Sequence, residues 1–354
     1  MKAYRGIYGI LVLVALAGCT KMEIVPAPEK EITFSVAEYA SAQTKASVSL
    51  ESKGITSFKS MGFLHAIGVE GAQNFFGTSG ETISKRESVW APSHPYYWPK
   101  SELSFVNFIS WYDNGGTPST VNETRLEWTN RTIAPSDNIM YADEAWRFND
   151  NPVNTAQYEG DGITSGVPTI FHHALAQVKF QARLSEASEG NVSWRVTISN
   201  FKVENVHKTG SISMVNGDPG TAFTTKPWTD ASWIPTEAVD TLSRPANVTY
   251  TLDASTKVLM NSRSVLPQST FGMVLTFDYS IITTYGIDGN PLNEVKENAT
   301  ASVNLYSDFK IYNWDKNTHI TYTLVFDPKT SKIMFDPVLT EDWNTDLNNA
   351  AYIE

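Results

Sequence analysis

The chain has 354 residues, a formal net charge of −11, 12% aromatic residues and only 18% charged residues. Because the 27 Lys and Arg are scattered and outnumbered by the 38 Asp and Glu, the composition argues against a nucleic-acid partner. The single cysteine excludes an intrachain disulfide and a zinc or iron–sulfur site built from several thiolates.

The N-terminal segment is typical of an export signal. Lys2 and Arg5 give it a positive start, and residues 7–17 form an apolar stretch. This stretch is shorter than the roughly twenty residues that span a membrane, but its length suits a secretory signal.

The cysteine stands directly after this stretch. Residues 16–19, Leu-Ala-Gly-Cys, resemble the bacterial lipobox, in which a peptidase cuts before the cysteine and the thiol then carries lipid. Thr20 follows rather than an aspartate, which favours delivery to the outer membrane. We predict a signal peptide over residues 1–18 and lipidation at Cys19, the alternative for Cys19 being a small buried hydrophobic residue.

A tether, a strand and a loop are predicted next. Residues 21–30 contain two prolines, which predicts an extended tether. The following "EITFSVAEY" alternates, with Ile32, Phe34 and Val36 on one face, and predicts the first strand. The small polar stretch "SAQTKASVS" around Lys45 predicts an exposed loop.

Alternating segments then recur at short intervals and predict further strands. Residues 61–69 alternate, residues 102–112 are apolar on both faces as in a central strand, and residues 176–184 alternate cleanly. Residues 192–206 alternate but change phase at Ser199-Asn200, which predicts a β-bulge. Segments "FGMVLTFDYSI", "ASVNLYS", "HITYTLVF" and "KIMFDPVL" complete the series.

The sequence therefore predicts an all-β protein of the sandwich type. No helical period is sustained, and only "HHALA" and "TEAVDTL" could form a helical turn. Residues 148–167 are rich in Asn, Gly, Asp and Pro and predict the seam between two sandwiches, over residues 46–167 and 168–354.

No catalytic or metal-binding constellation is predicted. His172 and His173 are adjacent, so on a strand they point to opposite faces and cannot easily share one ion. The acidic pairs 143–144, 159/161 and 341–342 lack the spacing of a calcium loop and are interpreted as turn carboxylates. We expect no enzymatic activity, no metal and no cofactor.

One aromatic motif allows two interpretations. "PYYWP", residues 95–99, could stack on sugar rings through Tyr96, Tyr97 and Trp98, or its two prolines could form a structural corner. The corner is favoured.

Taken in order, these features resemble the fimbrillin family, the lipoprotein pilins of type V pili, and in particular its Mfa-like branch. The resemblance covers nearly the whole chain. It rests on the order of five marks: the lipobox at Cys19, "EITFSV", "TKAS", "FHHALAQVKFQA" and the C-terminal "YTLVF…IMFDPVLTEDW".

The resemblance implies two transthyretin-like β-sandwiches in tandem and a polymerisation cycle at the cell surface. A trypsin-like protease cuts family pilins after a basic residue, commonly arginine, in the loop beyond the first strand. The matching residue here is Lys45, which makes Ala46 the new N-terminus. Residues 19–45 then form a lipidated tether with a removable first strand, whose Ile32, Phe34 and Val36 fill a groove. A C-terminal segment of a neighbouring subunit takes their place.

The implied partners are other pilin subunits, the processing protease, the outer membrane through the lipid, and a host or bacterial surface ligand. The residues after Trp343 are mostly polar, so the donor segment is less obvious than the acceptor groove. Stalk, anchor and tip roles are not separated by the sequence. The alternatives are a monomeric surface glycan-binding lipoprotein and, third, a secreted hydrolase.

Overall fold

The computed structural model describes residues 30–38, 50, 54–101, 103–148, 166–216, 225–226, 228, 231–243, 248–287, 290–336 and 338–343. The predictions for Cys19, Lys45 and Ala46 lie outside these residues, as do residues 149–165 of the seam predicted at 148–167. All 27 regular elements in the described ranges are β-strands, which confirms the predicted all-β class. No helix that is long and apolar enough to cross a membrane is found in these ranges.

The strands that precede residue 174 are two to ten residues long. In chain order they are β1 (Phe34–Glu38), β2 (Ser57–Ala66), β3 (Gln73–Asn74), β4 (Glu81–Arg86), β5 (Val89–Pro92), β6 (Ser104–Asp113), β7 (Thr120–Asn122), β8 (Arg125–Thr132), β9 (Ile139–Ala142), β10 (Glu144–Phe148) and β11 (Val167–His173).

The remaining strands include the two longest within the described ranges, β14 and β23, with 15 residues each. They are β12 (Ala176–Leu184), β13 (Ser188–Glu189), β14 (Val192–Val206), β15 (Thr209–Val215), β16 (Thr225–Lys226), β17 (Trp233–Pro235), β18 (Asp240–Ser243), β19 (Tyr250–Leu252), β20 (Lys257–Val265), β21 (Gln268–Ser269), β22 (Val274–Ile287), β23 (Asn290–Asn304), β24 (Asn313–Trp314), β25 (Thr318–Asp327), β26 (Lys332–Phe335) and β27 (Leu339–Asp342).

The first sheet closes on itself. It has ten strands in the order β16-β10-β6-β9-β11-β1-β5-β4-β2-β3, and β2 also pairs with β6. The pairings from β6 through β9, β11, β1, β5, β4 and β2 therefore return to β6 and form a ring of seven strands. Its two sides enclose one core, which includes Phe34, Phe58, Phe108 and Phe171. Closure leaves these seven strands without an open edge at β1.

A second core lies outside this ring. Trp111 of β6 and Tyr141 of β9 pack there against Trp128 of β8 and Met214 of β15, which belong to a four-stranded sheet in the order β17-β15-β8-β7. Because β6 faces the inner core on one side and this core on the other, six consecutive residues of it, 106–111, are buried. The prediction that this segment is a central strand is confirmed.

The C-terminal part of the chain forms a sandwich of two sheets. A five-stranded sheet, β20-β12-β25-β26 with β27 on β25, faces a six-stranded sheet, β13-β14-β22-β23 with β18 and β19 on β14. Phe180 meets Phe201 across the core at 5.5 Å between ring centroids. β12 alternates strictly between buried and half-buried residues along its whole length, as predicted.

The predicted bulge in β14 is also present. The register of β14 against β22 shifts between Ser199 and Lys202, and Asn200 has a φ of 54°. Asparagine tolerates this left-handed conformation better than most residues. Its side-chain Nδ2 donates to Asp278 Oδ2 at 2.7 Å, which fixes the bulge against β22.

Strand pairing crosses the predicted domain boundary at 167/168. β11 pairs with β1 and β9 in the closed sheet, and β15 and β17 extend the sheet that contains β8. The core of the C-terminal sandwich begins at Ala176. The two-domain division stays a prediction, and it does not coincide with a break in the sheets.

Candidate functional site

The candidate site is the groove that holds residues 30–38, which we call the first-strand segment. β1 runs parallel to β11, with Phe34 opposite Val167 and Glu38 opposite Phe171. On its other side it pairs with β5 through Phe34 and Trp90. The segment therefore lies between two neighbours and completes the ring.

The start of this segment is bound by the PYYWP corner, residues 95–99. Ile32 N donates to Tyr96 O at 2.8 Å, and Trp98 N donates to Lys30 O at 3.0 Å. Glu31 and Tyr97 form an antiparallel bridge between these two bonds. The corner thus continues the backbone pairing of the segment beyond β5.

The apolar face of the segment points into the ring core. Ile32 is 0% and Phe34 is 4% exposed, whereas Val36 is half-buried and packs against the core. The ring of Phe34 meets Phe58 and Phe108 edge-on at 5.8 and 5.5 Å. Burial of Ile32 and Phe34 contributes about 3–6 kcal/mol, at about 1.5–3 kcal/mol per side chain.

Gly166 allows β11 to begin close to the segment. A Cβ at this position would lie 2.9 Å from Thr33 O and 3.1 Å from Ser35 N, and its φ is +87°. Only glycine fits both the left-handed backbone and this approach. Val167 N then donates to Thr33 O at 2.7 Å, so the parallel pairing starts directly after the glycine.

A carboxylate holds the corner in position. Glu81 of β4 accepts hydrogen bonds from Ser93 Oγ and from Tyr96 OH, the latter at 2.9 Å, and its Oε1 lies 3.2 Å from His94 Nδ1. Burial raises the pKa of Glu81, but these hydrogen bonds and the charge of His94 outweigh it and hold the pKa below its ordinary value of 4.5.

We expect Glu81→Gln to lower the thermal stability at neutral pH and to have less effect as the pH falls. A carboxylate with a depressed pKa stabilises the folded state above its unfolded pKa, and this contribution is lost as the pH falls through the folded pKa. The measurement is the difference in melting temperature between the wild-type chain and Glu81→Gln from pH 7 to about pH 3.

Tyr96→Phe is the matched control for this experiment, because it keeps the ring and removes one hydrogen-bond donor to Glu81. It should reduce the pH-dependent part of the stability without abolishing it. A Glu81→Gln deficit that stays constant between pH 7 and pH 3 would show that the carboxylate charge has no such role.

The two adjacent histidines point to opposite sides, as the strand geometry predicts. His173 is buried, with Nδ1 2.9 Å from Asn138 Oδ1 and its ring stacked on Trp343 at 4.4 Å. His172 Nε2 lies 3.0 Å from Asp143 Oδ1. Within the described residues, no group of three or more His, Cys, Asp or Glu could hold a metal ion.

The aromatic motif behaves as a corner. Trp98 is 5% exposed, and Tyr96 packs against the ring core while it donates to Glu81. Of the three rings proposed to stack on sugars, Tyr97 alone is exposed, at 44%. The two prolines of the motif indicate the corner in the sequence, but they give no signal for its partner in the first strand.

The fold and this site define an all-β sandwich protein in which an N-terminal strand completes a closed sheet. The profile of the fimbrillin-like family matches residues 30–343, and the chain belongs to this family. This confirms the resemblance drawn from the sequence. The family consists of fimbrial structural proteins, so membership implies a cell-surface location and association with other pilin subunits, and it supports a non-enzymatic role.

Solved structures of low sequence identity are also similar to the chain. A fimbrial protein from Bacteroides vulgatus is 11% identical, with a TM-score of 0.48, over 88% of this chain and 99% of that one. The fimbrial anchor protein Mfa2 from Porphyromonas gingivalis is 10% identical, with a TM-score of 0.31, over 88% and 97% of the two chains. No curated protein matches the chain.

Proposed function

We propose that the chain is a structural and adhesive subunit of a type V pilus, exported as a lipoprotein through Cys19, cut after Lys45 and polymerised by donor-strand exchange. The observation that supports the proposal is the position of the first-strand segment in the ring. The segment is paired on both sides and buries Ile32 and Phe34, so its removal would leave a gap in the ring between β11 and β5.

The open ring would be unstable for two reasons. The apolar surface around Phe34 would meet water, and the backbone groups of β11, β5 and the corner that now pair with the segment would lose their partners. A strand from a neighbouring subunit restores both contributions at once. Dissociation of the segment by itself therefore raises the free energy of the subunit, and it becomes favourable only when a donor strand replaces the segment.

The position of Lys45 in the chain suits this scheme. β1 ends at Glu38, and Leu50 is buried against the ring core, so Lys45 lies in the connection between the strand that would leave and the part that would stay. After a cut between Lys45 and Ala46, residues 19–45 are attached to the subunit only by noncovalent contacts of the first-strand segment.

The lipid and the protease then have separate roles. Acyl chains on Cys19 hold the precursor at the outer membrane, and the processing protease releases the mature subunit from this tether. The other partners are further pilin subunits and, for adhesion, a host or bacterial surface ligand. An anchor subunit would keep its lipid and escape the cut.

Lys45→Ala should block fibre growth and leave the precursor folded. Purified precursor is treated with trypsin and run on an SDS gel, where polymers that resist SDS appear as a ladder of bands. The N-terminus of the product is determined by mass spectrometry. The wild-type chain should form the ladder and begin at Ala46, whereas Lys45→Ala should stay monomeric.

Lys59→Ala is the matched control, because Lys59 is exposed but lies within the paired part of β2. It should assemble like the wild-type chain. Fibres that retain residues 20–45 would contradict donor-strand exchange and favour an anchor or a role outside the pilus.

A further inference from the structure

A cavity of about 290 Å³ lies away from the first-strand segment, where the loop after β8, the connection between β14 and β15, and strands β18 and β20 meet. Its walls are joined by backbone hydrogen bonds. Ile133 N donates to Lys208 O at 2.8 Å, and Ser264 N donates to Pro135 O at 2.9 Å. The loop after β8 is thereby fixed against both neighbouring walls.

A buried glutamine connects two of these walls through hydrogen bonds to the backbone of lining residues. Gln268, which is 7% exposed, accepts a hydrogen bond from His207 N at 2.8 Å. Its Nε2 donates to His207 O and to Leu266 O, each at 2.9 Å. The cavity is therefore preformed, as small-molecule sites usually are.

The lining is basic in an acidic protein. Lys208 and Arg263 are the cations of the lining, and none of the described lining residues is Asp or Glu, although the whole chain has a formal net charge of −11. Positive groups that converge on a low-dielectric cleft raise the local concentration of anions. The cavity thus has the electrostatic character of an anion site.

The two cations can both serve a carboxylate. Lys208 Nζ lies 2.7 Å from Asp240 Oδ2, and this ion pair uses one of the three hydrogens of the ammonium group. Arg263 also lines the cavity, and an arginine guanidinium is a planar fork with five hydrogen-bond donors, two of which can match a carboxylate in bidentate geometry. Asp240 is not part of the lining, so it orients Lys208 without adding a carboxylate to the cavity wall.

The rest of the lining suits a hydroxylated ring. His207 Nδ1 lies 3.2 Å from Ala238 O, and because a carbonyl only accepts, this contact places a proton on Nδ1 and leaves Nε2 as the ring nitrogen that can bind a ligand hydroxyl. Thr241 and Ser243 add hydroxyl groups, and Val206 and Leu242 form an apolar wall.

We propose that this cavity binds a sugar acid of single-ring size. Its carboxylate would bind Lys208 and Arg263, its hydroxyls would bind His207 Nε2 and Ser243, and the C–H face of the ring would lie on the aliphatic wall. The volume of about 290 Å³ lies just below the roughly 300–1,000 Å³ typical of ligand pockets, which fits a single ring. The site is separate from the first-strand segment, so this proposal does not depend on polymerisation.

Isothermal titration calorimetry of the purified full chain with D-glucuronate tests the proposal, with D-glucose as the neutral counterpart. Glucuronate should bind, and glucose, which lacks the carboxylate, should bind at least about tenfold more weakly. Lys208→Gln and Arg263→Gln should each weaken glucuronate binding by about tenfold.

Lys202→Gln is the matched control, since Lys202 forms an ion pair of the same 2.7 Å length with Glu204 but does not line the cavity. It should bind glucuronate like the wild-type chain. In the wild-type protein, where folding of a variant is not in question, glucuronate should also shift the side-chain NMR signals of His207. Equal binding of glucose, equal loss in Lys202→Gln, or undisturbed His207 signals would each overturn the proposal.

Discussion

Phe180→Ala should lower the free energy of unfolding by about 3–5 kcal/mol, the usual loss for a large aromatic truncated in a core. Phe180 is 0% exposed, stacks on Tyr322 at 4.7 Å with an angle of 8° between the rings, and meets Phe201 of the facing sheet edge-on. The substitution removes contacts to both sheets and leaves a cavity between them. Urea denaturation of the purified chain measures the loss.

Lys179→Ala is the control for this prediction. Lys179 is the next residue of β12 and is half-buried on the opposite face of the strand. Its truncation should change the free energy of unfolding by only about 0.5 kcal/mol. Similar losses from the two variants would mean that the facing of β12 is wrong.

The parts of the fold that follow from local burial could be predicted from the sequence. β12 alternates because one face meets a core and the other does not, and β6 is apolar on both faces because it separates two cores. The phase change at Asn200 marked a bulge because an extra residue reverses the alternation that follows.

Local alternation was misleading where a strand stopped. The alternation of residues 61–69 predicted one strand with Ile67 and Val69 on the same side as Met61, but β2 ends at Ala66 and the side chains of Ile67 and Val69 are 64% and 61% exposed. Gly68, with a φ of +84°, lies in the turn between them. This glycine was the signal against a longer strand.

Long-range pairing could not be predicted from one sequence. The segment that contains Ile32 and Phe34 was identified as a strand, but its parallel partner β11 and its corner at Tyr96 are distant in the chain. Such pairing depends on backbone groups that all residues except proline share, so it leaves no pattern of side chains. Only the structure shows that the sheet is closed and that the first strand is needed to close it.

Phe34→Ala should lower the free energy of unfolding of the precursor by about 3–5 kcal/mol and leave the assembled fibre as stable as the wild type. In the precursor the ring of Phe34 is 4% exposed and contacts Phe58 and Phe108. In the proposed fibre, residues 19–45 have been removed and a donor strand occupies their place. A weaker first strand should also leave more readily, so trypsin-treated Phe34→Ala should form its ladder faster than the wild type.

Phe58→Ala separates loss of the first strand from general damage to the ring core. Phe58 is 3% exposed and meets both Phe34, at 5.8 Å, and Phe171, at 5.1 Å, but it belongs to β2 and stays in the subunit after the cut. It should therefore destabilise the precursor and the fibre alike, as measured by urea denaturation of the precursor and by the temperature at which the SDS-resistant ladder dissolves. If Phe34→Ala weakens the fibre as much as Phe58→Ala does, Phe34 is still present in the assembled subunit. The first strand would then be a permanent part of the ring, and subunits would have to join through another surface.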